Sequence, residues 1–451
     1  MSGKTLIRGA YVLTGGPDGA LRDAAVLVEG RVIAAVGPYA ELKAAHPDSA
    51  ELGGPHDLVL PGFVNTHGHF SEGLITGLAE GYTLWEWIHA LIDPVVPHLD
   101  RASAHMGTML SGIQMLRSGI TTANDMFCSD PGAAEPLTPG VVAALDELNL
   151  RGVVSFGAGD TRVRSVTAQL EEHSALLEAA EASRLSTFRV GVGAVGGQSE
   201  ELFAASVELA VGGGHGVHIH LQEVREEVTA TFQRYGATPI AHCAQEGLFG
   251  APTLAAHCVW VDRHDRRLLA EHNVGVAHNP VSNMILASGA APVMEMRELG
   301  VNVGIGVDGA ASNDGQDMLQ AIKSAALLAR VHAMQATAMT AREAFEMATI
   351  GGARALEMDD LIGSLEVGKA ADVVVLDGSS PTLANIHDPY QAVVYVAGSR
   401  EVKDVLVDGR PSVANGEVVT VDTVEIAERS RPMARDLVRK AGLAHLSELA
   451  R

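Results

Sequence analysis

The chain opens on short apolar runs rich in β-branched residues and broken by turns: TLIRGAYVLT, then AAVLVEGRVIAAVG, with Glu29-Gly30 between two strand-like halves. This texture predicts a small β-sheet. It returns near the other end in ADVVVLDG, AVVYVAG and EVKDVLVDGRPSVANGEVV, where Asp408-Gly409 and Asn415-Gly416 are the residue pairs of tight hairpin turns. Two half-sheets from opposite ends of the chain can combine into one sandwich.

Between them the pattern changes to apolar strands separated by alanine- and leucine-rich helical stretches, as repeated β/α units require. Eight strand candidates follow one another: LVLPGFVNTH, GITTANDMF, RGVVSFGAG, TFRVGVGAVG, GVHIHLQE, TLAAHCVWV, VGVAHNP and VNVGIGVDG. Eight such units predict an α/β fold, a (β/α)8 TIM barrel, accompanied by a small β-sandwich domain built from both chain ends. The texture divides the chain into the N-terminal part of the sandwich (1–57), the barrel (58–363), the C-terminal part of the sandwich (364–423) and a C-terminal amphipathic helix (424–451). A length of 451 residues exceeds the roughly 250 of a bare barrel by enough for one satellite domain.

Composition narrows the classes of function. Hydrophobic residues make up 47% and charged ones 19%, which suits a chain with a large core. With 55 acidic against 32 basic residues the formal charge is -23, which repels phosphate backbones and anionic membranes; neither nucleic acid nor membrane is expected as a partner. Three cysteines, Cys128, Cys243 and Cys258, have neither zinc-knuckle nor redox spacing. The opening MSGKTLIRGAYVLTGGPDG has no apolar signal core and no later run reaches the ~18 apolar residues of a span, so a cytoplasmic protein is expected.

Residues able to bind a metal fall at the ends of the predicted strands: His67 and His69 after the first, His220 at the fifth, His257 at the sixth and Asp308 at the eighth. C-terminal strand ends of a barrel converge on one mouth, so these distant residues become neighbours there. His67 and His69, two apart on a strand, face the same side and can hold one ion together; His218 and His220 form a second pair by the same rule. Asp308, followed by Gly309, Ala310, Ala311, Ser312 and Asn313, can offer one oxygen to a metal and the other to a proton, although a turn aspartate is the plain alternative. Glu223 lies just past the fifth strand, where an acid/base group beside the metal would sit; Glu226 and Glu227 read as solvated surface residues.

Taken in order, PGFVNTHGHF, HIHLQE, AAHCVWVD, VAHNPVSN and GVDGAASNDGQDM resemble the amidohydrolase superfamily, in its branch of cytosine deaminase-like, S-adenosylhomocysteine/methylthioadenosine deaminase and triazine hydrolase enzymes. The terminal GSLEVGKAADVVVLDG resembles that family's return into its β-sandwich. The resemblance implies that His67, His69, His220 and Asp308 bind one divalent ion, zinc or alternatively iron, while Glu223, His257 and Asp308 are catalytic. It implies that His218 faces elsewhere, that His278 is a site histidine, and that Ser282-Asn283 and Ser312-Asn313 line the mouth. Lysine is absent between Lys43 and Lys323, which excludes a two-ion site bridged by a carbamylated lysine on a central strand.

The activity so implied is hydrolytic: water attacks a ring carbon bearing an amino group, Asp308 takes a proton, Glu223 protonates the adjacent ring nitrogen, His257 steadies the developing charge, and ammonia leaves. The substrate is expected to be a small aminated heterocycle, purine- or nucleoside-like, and the protein a homo-oligomer, dimer or larger. Triazine dechlorination or amine displacement and cyclic-amide or imidazolone hydrolysis remain alternatives, with an inactive binding barrel a remote one. Substrate choice is expected from the stretch Phe70 to Trp87, where Trp85 and Glu86 accompany Tyr82, Trp87 and His89; the tryptophans serve either as stacking surfaces or as core. His278, Ser312 and Asn313 complete the expected substrate-binding set.

Overall fold

The computed structural model describes residues 3–128, 135–160 and 165–446. Eight parallel strands follow one another around a barrel: Phe63–Gly68, Ile120–Phe127, Arg151–Phe156, Ser186–Ala194, Gly216–Leu221, Thr253–His257, Gly275–His278 and Val303–Ile305. Each coincides with one of the eight predicted runs, the first and fourth reaching one residue beyond theirs, to Gly68 and Ser186. Six of the eight are buried at every position, because side chains pointing inward fill the barrel while those pointing outward meet the surrounding helices. The first and eighth strands close at their C-terminal ends, where the Asp308 N–H donates to the His67 carbonyl at 2.9 Å and the Val307 N–H donates to the Asn65 side-chain oxygen at 2.9 Å.

Both chain ends meet in a second, nine-stranded mixed sheet. Its centre is Leu58–Pro61, parallel to Lys4–Leu13 on one side and antiparallel to Val373–Leu376 on the other. The sequence reading joined LVLP to the first barrel strand; the structure separates the two at Gly62. The Gly62 N–H donates to the Asp372 carbonyl at 2.9 Å, and a Cβ on Gly62 would stand 2.0 Å from Thr121 Oγ1, so only glycine lets the chain cross from one sheet to the other here. Asp408-Gly409 and Asn415-Gly416 turn as expected, all four residues having positive φ, and they join Val402–Val407, Arg410–Ala414 and Glu417–Val418.

Two terminal readings are corrected. AVVYVAG, read as a strand, is helical: Asp388 accepts the Gln391 N–H, Pro389 starts the turn, and the chain continues through a π-helical turn at Ala392–Val396 that buries Val393 and Val394. The last helix, Thr423–Lys440, ends well before residue 451, and a 3-10 turn at Leu443–Leu446 follows; residues 447–451 of the expected helix lie outside the described residues. Among the described residues no helix is long and apolar enough to cross a membrane.

The barrel's N-terminal face is bolted to the end sheet by buried charges. Arg151, opening the third strand, donates from Nε and Nη2 to the two Asp372 oxygens at 3.3 and 3.2 Å. Asp408 pairs with Arg184 and with Arg31, and its N–H donates to Asp372 at 2.7 Å. With the bottom occupied in this way, the mouth at the C-terminal ends is left for chemistry. Asp372→Ala is expected to lower stability by roughly 3–5 kcal/mol, because it strands a buried guanidinium. Urea unfolding of that variant, beside Arg151→Met/Asp372→Leu, should show the double change to be the milder one.

Candidate active site

The mouth is assembled by strand ends that leave regular geometry. Gln222, His257, Cys258 and Asp308 all have positive φ, between 48° and 73°, which is uncommon outside glycine and concentrates at functional sites. The left-handed Gln222 interrupts the alternation of the fifth strand and turns Glu223 into the cavity. Its own side chain is fixed by donating to the Trp260 carbonyl at 2.8 Å and to Asp265 at 2.9 Å, and by accepting the Ile240 N–H.

Four side chains then point lone pairs at one place. His69 Nδ1 lies 2.7 Å from the Met126 carbonyl and His220 Nδ1 lies 2.6 Å from the Gly193 carbonyl. A carbonyl can only accept, so each Nδ1 carries the proton and each Nε2 is left bare. These two bare nitrogens face one another at 3.2 Å. The third imidazole is set by a longer relay. Ser155 Oγ donates to the Asp125 carbonyl at 2.7 Å and so accepts from His218 Nδ1 at 3.0 Å; His218 Nε2 in turn accepts from His67 Nδ1 at 2.8 Å. His67 Nε2 is therefore also bare, buried, and without a hydrogen-bond partner. Asp308 Oδ1 stands 3.4 Å from His67 Nε2 and 3.5 Å from His69 Nε2.

Burial keeps this arrangement unprotonated. It presses His67 down to about 4, lowers His69, and carries His220 well below the ordinary imidazole value. Burial opposes ionisation of Asp308, but His67, His257 and His69 outweigh it and hold the carboxylate well below its usual range. Three neutral imidazoles and a carboxylate, with bare atoms converging, suit a divalent cation of the zinc type, and His67, His69 and His220 lie close enough together to share one.

Beside this cluster, His257 Nδ1 donates to Asn283 Oδ1 at 2.9 Å, and its Nε2 lies between Glu223 Oε2 at 3.4 Å and Asp308 Oδ2 at 3.8 Å. Burial disfavours its charge, yet Glu223 and Asp308 raise it. Glu223 is raised by burial, with His257 acting against that, and it accepts from Ser288 Oγ at 2.9 Å. A raised acid and an imidazole that gains charge stand together at the edge of the same cavity.

The structure corrects several sequence readings. His218 does not face elsewhere; it lies directly behind His67. Glu227 is buried rather than solvated, lines the cavity, and accepts the Glu223 N–H at 3.1 Å. Glu86 is turned back on its own helix, accepting from the Thr83 N–H at 3.0 Å and the Thr83 hydroxyl at 2.7 Å, and it does not line the cavity. The Thr-x-x-Glu spacing in TLWE is the readable sign of that cap. Of the two tryptophans beside it, Trp87 is buried and Trp85 stands half-exposed on the rim; both line the cavity. His278 is buried off the cavity, and Asn313 donates to the Val307 carbonyl at 2.5 Å, while Ser312 does line the wall. Ser282 donates to Asp308 Oδ2 at 2.5 Å, so Ser282 and Asn283 support the two side chains rather than form a free rim.

Sequence reasoning missed Glu72. It is buried on the cavity wall, accepts the Ala311 N–H at 2.9 Å, and ties the segment after His69 to the loop after Asp308. Nothing in the spacing of HFSEG distinguishes it from a surface glutamate.

Such a mouth defines a class, the parallel-barrel hydrolases built around a divalent ion. Residues 58–412 match the Amidohydrolase family, and the chain belongs to that family. Residues 24–48 match an imidazolonepropionase-like composite domain of bacteria. The chain is 36% identical to a 5-methylthioadenosine/S-adenosylhomocysteine deaminase of Pelotomaculum thermopropionicum, over 96% of this chain and 99% of that one. It is 36% identical to a 5'-deoxyadenosine deaminase of Methanothermobacter thermautotrophicus, over 94% and 98%. A crystal structure of an adenosine deaminase from Xanthomonas campestris with bound zinc superposes with a TM-score of 0.89, at 30% identity, covering 96% of this chain and 98% of that one. The protein is accordingly a hydrolase of carbon–nitrogen bonds other than peptide bonds, a deaminase of aminated nitrogen heterocycles.

Because the converging lone pairs repel without a cation, metal-depleted protein should gain stability on titration with zinc, by about 2.7 kcal/mol at a hundredfold excess over Kd. His218→Leu, which frees His67 to take the wrong tautomer, should weaken zinc binding some 10–100-fold in a chelator competition. Unaltered zinc affinity in that variant would refute the relay.

Proposed function

We propose that the chain removes the amino group of an adenine-type nucleoside with the help of one zinc ion held by His67, His69, His220 and Asp308. The convergence of bare His67, His69 and His220 nitrogens on the Asp308 carboxylate carries the metal assignment; the substrate ring comes from the relatives, three of which bear adenosine or an adenosine derivative in their names. When bound, a divalent ion polarises water and makes it a nucleophile near neutral pH. The chain's own residues then divide the proton traffic.

Asp308 keeps one oxygen beside the imidazoles and the other beside His257, positioned to take the proton of the attacking water. Glu223, raised by burial, is the proton donor to the ring nitrogen next to the amino-bearing carbon. His257, held in orientation by Asn283 and with its charged form favoured by Glu223 and Asp308 against burial, faces the oxygen that gains charge as water adds. Glu227 fixes the backbone under Glu223. Each proton leaves water and ends on the ring or on the departing ammonia, and a carbonyl remains.

Metal analysis should return one ion per chain, lost together with activity in His67→Ala and His220→Ala. Ammonia release should be seen with adenosine, 5'-deoxyadenosine or 5'-methylthioadenosine, and not with cytosine, pterins or triazines. Glu223→Gln should retain the ion and lose about 100- to 10,000-fold in kcat, the usual worth of a positioned acid. Release from triazines alone would replace this reading with the dechlorinating or amine-displacing one.

A further inference from the structure

Glu223 owes its direction to a turn that the backbone does not favour. Gln222 before it is left-handed, with φ 55°, and Val224 after it, at the start of the helix Arg225–Tyr235, has no side chain able to cap the free N–H groups there. The bond that closes the turn comes from further along the helix, where Glu227 reaches back and its Oε2 accepts the Glu223 N–H at 3.1 Å. A glutamate so placed is an ordinary backbone cap, and a glutamine would serve as one without taking a charge out of water. Here the carboxyl is buried in the cavity wall, and its second oxygen, Oε1, is buried without a hydrogen-bond partner. An acid kept where a neutral amide would cost less needs a role for the charge itself.

The groups facing Glu227 leave that charge adjustable. Burial raises its pKa to about 7; the Gln222 and Glu223 N–H groups and His257 favour the anion, while the Glu223 carboxylate opposes it. Cys243, in the helix Pro239–Gln245, and Cys258, just past the sixth barrel strand, also feel this charge, and burial keeps both thiols uncharged at neutral pH. A further acid beside Cys258, Asp265, is engaged by the Gln222 and Thr238 side chains. Arg225 and Glu226, next to Glu227 in the helix, are exposed. Glu227 thus passes from neutral to anionic as pH rises through about 7, and an anionic acceptor makes a hydrogen bond about twice as strong as a neutral one.

We propose that Glu227 is the positioning residue of the proton donor: in its anionic form it clamps the turn at residues 222–224 so that Glu223 stands toward the substrate ring, and it acts on the reaction only through Glu223. The proposal rests on the deaminase reading above for the role of Glu223. Protonation of Glu227 loosens this clamp and leaves the ties of His67, His69 and His220 intact, since none of them involves Glu227. Control of proton donation is in this way separate from control of the metal site.

Two readouts on zinc-loaded protein test the clamp, one of them independent of turnover. Protection of the Glu223 amide against hydrogen exchange, corrected for the intrinsic effect of pH, is expected to rise several-fold from about pH 6 to about pH 8 in wild type and to stay low and flat in Glu227→Gln. In turnover of 5'-deoxyadenosine, kcat of Glu227→Gln is expected about twofold below wild type at about pH 6 and about tenfold below it at about pH 8, with KM and zinc content unchanged. Added to Glu223→Gln, the same substitution should change kcat by less than about twofold, because the residue it positions is already disabled. An equal loss in the wild-type and Glu223→Gln backgrounds, or a kcat ratio that does not change with pH, overturns the proposal. Should Glu227→Gln fail to fold, the wild-type amide decides, and protection that is flat with pH overturns the clamp. Protection that follows the charge of Glu227 while no adenosine derivative is deaminated upholds the clamp and overturns the adenine reading instead.

Discussion

Lone pairs aimed at one point in a dry barrel mouth repel, and most of this structure exists to keep them there. Each of the three imidazoles has its protonated nitrogen tied to a group behind it, through a carbonyl for His69 and His220 and through His218 and Ser155 for His67. The ties fix the tautomer as well as the ring, so a cation arriving in the mouth finds its donors already deprotonated and aimed. Burial, which presses these imidazoles toward the neutral form, works in the same direction. An unpartnered cluster of this kind costs stability in the absence of the ion, which is the usual condition of a site organised for its chemistry and not for the fold.

The scaffold bears that cost by making the convergence a matter of topology. The barrel closes through the Asp308 N–H on the His67 carbonyl, so two residues 241 positions apart are joined by the backbone itself at the point where both side chains are needed. The opposite face is occupied by the Arg151, Asp372, Arg184 and Asp408 network under the end sheet. Left-handed residues occur at strand ends in the mouth, where Gln222, His257 and Asp308 redirect the side chains that regular alternation would send elsewhere.

Sequence pattern exposed the eight barrel strands in order, because a strand buried on both faces reads as an apolar run that stands out from the helices beside it. It failed where two physical signals competed. AVVYVAG has the β-branched residues of a strand, but the Asp388-Pro389 start commits it to a helix. Leu58–Pro61 and Phe63–Gly68 read as one strand because Gly62 alone marks the crossing. In the site, two-residue alternation puts His218 and His220 on one face of their strand, and His218 stands behind His67 accordingly. Glu227 and Glu72 were invisible for a different reason: a buried carboxylate is defined by what folds over it, and no local spacing records that.

The same contrast separates what is rigid here from what selects. The polar side chains that converge in the mouth arise from barrel strands or the turns leaving them, each with a buried partner behind it. The segment from Phe70 to Leu99 is built from a succession of short 3-10, α and π turns, held by a cap between Thr83 and Glu86 and by the burial of Trp87, Leu91 and Val95. It lines the cavity mainly with apolar side chains, with Ser71, Glu72 and Asp93 as its polar contributions. Only the start of that segment meets the ties that aim the imidazoles, where the Phe70 N–H donates to Asp125 at 2.7 Å, so its later helical turns can change the cavity wall without disturbing them. What holds the reactive cluster and what shapes the outer wall therefore lie largely in different parts of the chain, the first in strand ends whose geometry leaves little freedom, the second in a run of short helical turns.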